Sequence, residues 1–352
     1  MREIHTLIDF LGIVCDRPNL MNYYEFTSNE YLSQMNDIVK RLLALVGGVS
    51  EKDSKVVTSE ENLYSFIDEN YDYLYSYQYK KEFGSALDNI KKKKLTFFYR
   101  GVNNGQYRIA PGIYRSGELH DENYYFNEIN VRCPETFRSF DNVEKLTYMQ
   151  HYGCPTRLLD ITSNPLVALY FACSGNADHD GVIYIFGVDS DEVLYSSSDR
   201  IQMLCKFAEF KAKDQMKLRH LAYCNMHNGK FTQQSNGRYK NALIERYYHA
   251  IKRNNGAFER EIVPFDMLKP HFVQPNKGNP RILKQDGAFI VSGLDADDRE
   301  SDMKIRKYLV DEIVVPYKDK QRILRDLEFV GINQATLFPE VDKVADYLRK
   351  KE

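Results

Sequence analysis

An α+β fold is what the sequence predicts, with most strands in the second half of the chain and helices of unequal length between them. Three observations predict it. Short runs rich in β-branched and aromatic residues, each bounded by breakers, fall at LTFFYRG (95–101), GVIYIFGV (181–188), EREIVPF (259–265), GAFIVSG (287–293) and YLVDEIVVP (308–316). Helical signals mark 122–130, 142–150, 165–173, about 201–226, 319–329 and 340–350. The two kinds of element mix irregularly and no repeat is visible, which argues against a regular βαβ winding.

The first ninety residues read as a mainly helical region, and 91–352 as a second unit. Leu32, Met35, Ile38, Val39, Leu42 and Leu43 recur at helical spacing before Gly47 and Gly48 stop the pattern. YDYLYSYQY (71–79) instead places Tyr at every second position, as a strand would, and its rings read either as a stacking surface or as cover for a core edge. The run KKKK at 91–94 reads as a solvated charge cluster ahead of the first strong strand.

Composition excludes several classes of partner. A formal net charge of −2 with 28% charged residues provides no global field towards nucleic acid or an anionic membrane. Lys-rich stretches at 80–81, 91–94 and 204–219 are interleaved with acids, so a nucleic-acid effector ranks last among the readings. Six cysteines stand singly, which suits reduced thiols in a cytoplasmic protein. No apolar run is long enough to span a membrane, and MREIHTLIDFLGIVC carries Asp9 and lacks a small-residue cleavage site, so no signal peptide is expected.

Common catalytic signatures are missing as well. There is no GxxxxGK[ST], no GxGxxG after a strand, no GxSxG and no HExxH. His220, Cys224 and His227 share one face of a predicted helix, but three groups on one helix without a fourth read as a half-buried stripe sooner than as a zinc site, and no metal is expected.

Chemistry concentrates in QHYGCPTRLLDITSNPLVALYFA (150–172). Asn164 followed by Pro165 is a helix start, because Asn caps free backbone N–H groups and Pro suits the first helical position. The apolar run behind it must be buried. Ahead of it, Thr156, Arg157, Asp160, Thr162 and Ser163 approach the positive helix end, where an anion or a ribose would be held; the same residues also read as a polar loop satisfying its own turn. Tyr99, Arg100 and Gly101 form a second cluster, an arginine leaving a buried strand either for a ligand's phosphate or for an ion pair. NPRILKQDGAFIVSG (279–293) is a third, with Gln285 before the strand. His151 and Tyr152 beside Gly153 are candidates for hydrogen bonding and stacking, or for plain packing.

FFYRG (97–101), Glu128, the 150–172 block, RILKQDGAF and the tail KDKQRILRDLEFVGINQATLFPEVDKVADYL (318–348) together resemble the FRG domain, named for its Phe/Tyr-Arg-Gly motif. The resemblance covers about 95 to 350. FRG domains are in turn similar to ADP-ribosyltransferases with an Arg-Ser-Glu order of motifs, which implies a split, mixed or antiparallel sheet with flanking helices. It also implies NAD as substrate and an ADP-ribosyltransferase or NAD glycohydrolase reaction with an unknown macromolecular acceptor; a bacterial defence or toxin role is a separate expectation that only the Lys-rich stretches support. The alternative is a non-catalytic module that binds a nucleotide or a protein.

By the same resemblance Arg100 would hold the NAD phosphates and Thr162 or Ser163 the nicotinamide ribose, with Tyr99, Gly101, His151, Tyr152, Thr156, Asp160 and Asn164 around them. The departure is Gln285, an amide where an acid is expected. Glu128, which matches a recurring FRG acid, Glu261 or Asp160 would then have to supply the negative charge.

Overall fold

The computed structural model describes residues 2–15, 95–115, 122–226 and 229–351. The 30–46 helix, the Tyr-rich 71–79 stretch and the KKKK run lie outside them. The elements run β1 (Arg2–Glu3), α1 (Leu7–Cys15), β2 (Leu95–Val102), α2 (Glu122–Arg132), α3 (Pro134–Phe137), α4 (Asn142–His151), β3 (Leu158–Thr162), α5 (Pro165–Cys173), β4 (Gly181–Asp189) and β5 (Leu194–Tyr195). They continue α6 (Asp199–Cys205), α7 (Ala212–Asn225), α8 (Ala242–Asn254), β6 (His271–Gln274), α9 (Pro280–Lys284), β7 (Gly287–Val291), α10 (Asp298–Arg306), β8 (Leu309–Val315), α11 (Lys320–Phe329), α12 (Gln334–Leu337) and α13 (Val341–Lys351).

The fold is α+β around one mixed sheet, in the order β1-β8-β4-β2-β3-β7-β6-β5. Inner neighbours are antiparallel, and only the short outer pairs β1/β8 and β5/β6 are parallel. Strand β2 pairs with β4 along its whole length but with β3 only at Tyr99 and Thr162. Beyond that pair β2 and β3 diverge, leaving a fork in mid-sheet.

The fork also separates two cores. Over β8, β4 and β2, helices α1, α5 and α11 bury Phe10, Leu169 and Ile323 against Tyr99, Ile183 and Ile313. Over β3, β7 and β6, helices α2, α4, α6, α7 and α8 bury Phe126, Leu146, Leu204, Leu218 and Tyr247 with Leu158, Phe289 and Val273. A third core lies on the other alternation of the strands, with Phe98, Tyr184, Phe186, Ile161, Ile290 and Phe272, joined by Ile305 of α10. Among the described residues no helix is long and apolar enough to cross a membrane, and none of the six cysteines is in a disulfide.

Three expectations need correction. EREIVPF is not a strand. Residues 259–264 are irregular because Arg260 binds Glu245 through two nitrogens and lies 4.0 Å over the Tyr248 ring, while the Arg260 carbonyl accepts from Gln233 and the Ile262 N–H donates to the Tyr239 hydroxyl. Side chains thus take backbone bonds that a ladder would have used. The 201–226 helix is broken at Lys206–Phe210, where Gln215 Nε2 donates to the freed carbonyls of Phe207 and Phe210 at 3.0 and 2.9 Å. Within TRLLDIT the loop reading fails at LLDIT, which is strand β3, in register with β7 from Leu158 opposite Val291 to Thr162 opposite Gly287.

The same register overturns the placement of Arg157 at the helix end. Its guanidinium is fully buried in the helical core, paired with Glu122 and stacked 5.1 Å over Phe207.

Candidate functional site

A cleft of about 230 Å³ opens at the fork between β2 and β3. Tyr99, Arg100, Gly101, Asp160, Ile161 and Thr162 form its floor; α4 supplies Thr147, Gln150 and His151, α5 supplies Val167 and Phe171, and the 279–289 segment supplies Asn279, Arg281, Gln285 and Phe289. A second hollow of about 400 Å³ adjoins it, sharing Thr147, His151, Asn279 and Ile282 and adding the rings of Phe140, Tyr148 and Tyr152.

Local sequence fixes each wall. Helix α4 starts on a capping box in which the Asp141 carboxylate accepts from the Glu144 N–H at 2.8 Å and Glu144 accepts from the Asp141 N–H at 3.0 Å. It ends at Gly153, whose φ of +86° a side-chain-bearing residue adopts reluctantly. Gln150 and His151 therefore sit at a sharply terminated helix end. Helix α5 begins on Asn164, whose Oδ1 accepts from the Leu166 N–H at 3.0 Å, with Pro165 behind it. Helix α9 repeats the device with Asn279 and Pro280.

Arg100 reaches across the fork. Its Nη1 donates to the Asp160 carbonyl at 2.5 Å, while its buried Nε has no acceptor among the described residues. Desolvation lowers its pKa to about 10, against the pull of Asp160 and together with the repulsion of Arg115. A guanidinium with donors to spare in a concave site is an anion receptor in want of an anion.

The hydroxyls before α5 are more occupied than expected. Thr162 Oγ1 donates to the Gln285 carbonyl at 2.7 Å and accepts from the Asn164 N–H at 2.9 Å. Ser163 donates to the Asp286 carbonyl from its N–H, at 3.1 Å, and Asn164 Nδ2 donates to the Asp286 carboxylate at 3.2 Å. These bonds fasten the α5 N-terminus to the turn before β7, where Asp286 holds a positive φ of 46°. Gln285 points its amide elsewhere, donating from Nε2 to the Leu337 carbonyl at 3.0 Å.

The structure thus brings Tyr99, Arg100, Gly101, His151, Asp160, Thr162 and Gln285 to one cleft, with Ser163 and Asn164 beside it. Tyr152 faces the second hollow and stacks on His151 at 4.8 Å. Thr156 is buried behind the wall, donating to Gln150 Oε1 at 2.5 Å. Glu128 and Glu261 are not among the lining residues: the first pairs with Arg132 along α2 at 2.9 Å and the second with Lys230 at 3.5 Å. Asp160 is the carboxylate that the lining does contain, and Gln150 Nε2 donates to it at 2.6 Å. On the remote face of α7, His220 Nε2 lies 3.6 Å from Cys224 Sγ, and His227 is outside the described residues.

Sequence reasoning assigned no role to Gln150 or Glu340, and within the 279–293 cluster it named Gln285 and neither Asn279 nor Arg281. The repeated Asn-Pro at 164–165 and 279–280 was a usable signal for Asn279. Nothing local marks Glu340, whose Oε1 lies 2.7 Å from His151 Nε2.

No curated protein and no solved structure matches the chain. The FRG domain family model matches residues 95–181. That span runs from the start of β2 to the start of β4 and holds Arg100, Gln150, His151, Asp160 and Thr162 together. The protein carries an FRG domain, and that domain forms the floor and two walls of the cleft.

Proposed function

We propose that the cleft binds NAD and that the protein breaks its nicotinamide–ribose bond, passing ADP-ribose to water or to a macromolecular acceptor. The observation that carries this reading is the half-buried guanidinium of Arg100 at the fork, whose shielded Nε lacks an acceptor among the described residues, suited to a phosphate. The first hollow alone is small for a dinucleotide, but joined to the second it reaches the range of roughly 300–1,000 Å³ typical of cofactor sites. The rings of Phe140, Tyr148 and Tyr152 there offer a surface on which a base stacks.

Bond breaking sends an electron pair out with nicotinamide and leaves positive charge at the ribose carbon. A carboxylate opposes that charge better than an amide, and Gln285 has its amide tied to Leu337. Asp160 takes the role in this reading. Asp160→Asn is expected to bind NAD within about threefold of wild type yet to release nicotinamide about 10²-fold more slowly, the scale of one lost electrostatic stabiliser.

Titration calorimetry with NAD and ADP-ribose tests the binding. Arg100→Met is expected to weaken both by about 10- to 150-fold, equivalent to losing roughly 1.5–3 kcal/mol of charged hydrogen bonding. The same variant is expected to melt at a slightly higher temperature without ligand, because it removes a half-buried cation whose shielded Nε has no acceptor among the described residues. An arginine present only for structure would lose stability instead, and that result would sink the reading.

A non-catalytic nucleotide-binding module is the second reading, favoured by the engagement of Gln285 with Leu337 and of Asp160 with Gln150. Free nicotinamide appearing over time from NAD and pure protein decides against it.

A further inference from the structure

His151 is the most unusually surrounded titratable group in the cleft. It ends α4, lines both hollows, and is mostly but not wholly buried. Tyr152 stacks on one face of its ring at 4.8 Å, and Tyr148 meets it edge-on at 6.3 Å. Asn279 Nδ2 approaches Nδ1 at a long 3.4 Å, and Nε2 lies 2.7 Å from Glu340 Oε1.

Glu340 arrives from the far end of the chain with a segment that fastens itself to every wall. The Leu337 carbonyl accepts from Gln285 of the 279–289 segment, the Phe338 ring lies 4.5 Å under the Arg281 guanidinium and 6.0 Å from Phe171 of α5, and Glu340 faces His151 of α4. The carboxylate oxygens of Glu340 are shielded from solvent, and no well-directed hydrogen bond reaches them among the described residues. The imidazole is thus the group that Glu340 has at hand, although the angle at the short Nε2–Oε1 approach is not that of a hydrogen bond.

This arrangement sets the tautomer. Asn279 Oδ1 is taken by the Arg281 N–H, so the amide N–H is what faces Nδ1; Nδ1 then carries the lone pair and the proton sits on Nε2, the side of the Glu340 carboxylate. Nδ1 is then a basic nitrogen at the junction of the two hollows, held by one long contact that a ligand displaces at little cost.

We propose that His151, oriented by Glu340, is the proton acceptor of the cleft. The inference rests on the NAD-cleaving reading and identifies the base that the reading lacks. The nucleophile, water or an acceptor hydroxyl, forms its O–C bond to the ribose carbon as the C–N bond to nicotinamide breaks; nicotinamide leaves with the bonding pair. The nucleophile's proton passes to Nδ1, and the imidazolium so formed sits against the Glu340 carboxylate. His151 acts on the reacting atoms, whereas Glu340 is a positioning residue that acts through it.

The test compares steady-state nicotinamide release with calorimetric binding of ADP-ribose in wild type, His151→Ala and Glu340→Gln. His151→Ala is expected to lower kcat about 10²-fold or more, the ordinary worth of a general base, with KM for NAD and affinity for ADP-ribose within about threefold. Millimolar imidazole is expected to restore part of the His151→Ala rate and none of the Glu340→Gln rate, which should fall about tenfold at unchanged KM. Unchanged kcat in His151→Ala, or a fall matched by an equal loss of ADP-ribose affinity, would overturn the base role alone. Wild-type protein that binds ADP-ribose but releases no nicotinamide would overturn the cleavage reading together with the base.

Discussion

Glu122→Ala is expected to destabilise the protein by about 3–5 kcal/mol, the usual cost of leaving one member of a buried ion pair uncompensated. Its partner Arg157 is wholly inside the helical core. Arg157 Nε donates to Glu122 Oε1 at 2.9 Å, Nη2 to Glu122 Oε2 and to Gln215 Oε1, and Nη1 to the Gly293 carbonyl at 3.3 Å. Gln215 Nε2 closes the ring by donating to Glu122 at 2.9 Å. Burial pulls the arginine's pKa down, but Glu122 and Tyr114 more than offset it and hold the cation above its ordinary value. The truncated variant strands a charge that cannot shed its proton. Urea unfolding measures the loss, and Glu128→Ala on the same helix, at an exposed ion pair, should change stability by less than about 1 kcal/mol. The double change Glu122→Leu with Arg157→Met should recover most of it, since a well-packed apolar pair often matches a buried ionic one. Failure of the single variant to lose stability would mean that the network is not closed as described.

That network explains why β3 was illegible in the sequence. Arg157 stands directly before the LLDIT run and Asp160 interrupts it, and charges so placed read as a loop. The cation's partner is on a helix more than thirty residues earlier, and no local pattern announces it. Asp160 is tolerated for another reason, since it faces the fork where β2 has already departed. EREIVPF failed in the opposite sense: its β-like composition is real, but Arg260 is claimed by Glu245 of α8 and the backbone follows. What was legible obeyed local rules. Asn164 with Pro165 starts α5 where capping chemistry says it should, and the uninterrupted apolar run 181–188 became β4, buried along its length. Bringing Arg100, Thr162 and Gln285 to one place was legible through the resemblance, whereas Glu340 beside His151 was not, because that contact is made by tertiary packing alone.

Gly101→Ala is expected to cost at least about 3 kcal/mol and to lower the melting temperature by roughly 5–10 °C, placing it among the severe single substitutions. A methyl group built on Gly101 would fall 1.7 Å from the Ala168 carbonyl oxygen and 2.7 Å from the Ala172 nitrogen. Those atoms belong to the α5 backbone, so no side chain can swing aside. Gly181 on neighbouring β4 meets the same helix at the Ala172 oxygen, 2.2 Å from where its own methyl would be. The helix therefore lies flush on two bare strand positions, and this close seating sets how deeply Val167 and Phe171 enter the cleft. The glycine of the Phe/Tyr-Arg-Gly motif is required by helix packing, and the arginine beside it depends on that packing for its wall. On the proposed NAD-binding reading, Gly101→Ala should accordingly lose NAD affinity as well as stability, whereas Arg100→Met should lose affinity and gain stability. Opposite signs at adjacent residues would separate the scaffold from the site, and a Gly101→Ala protein of wild-type stability would show that α5 does not rest on the sheet in this way.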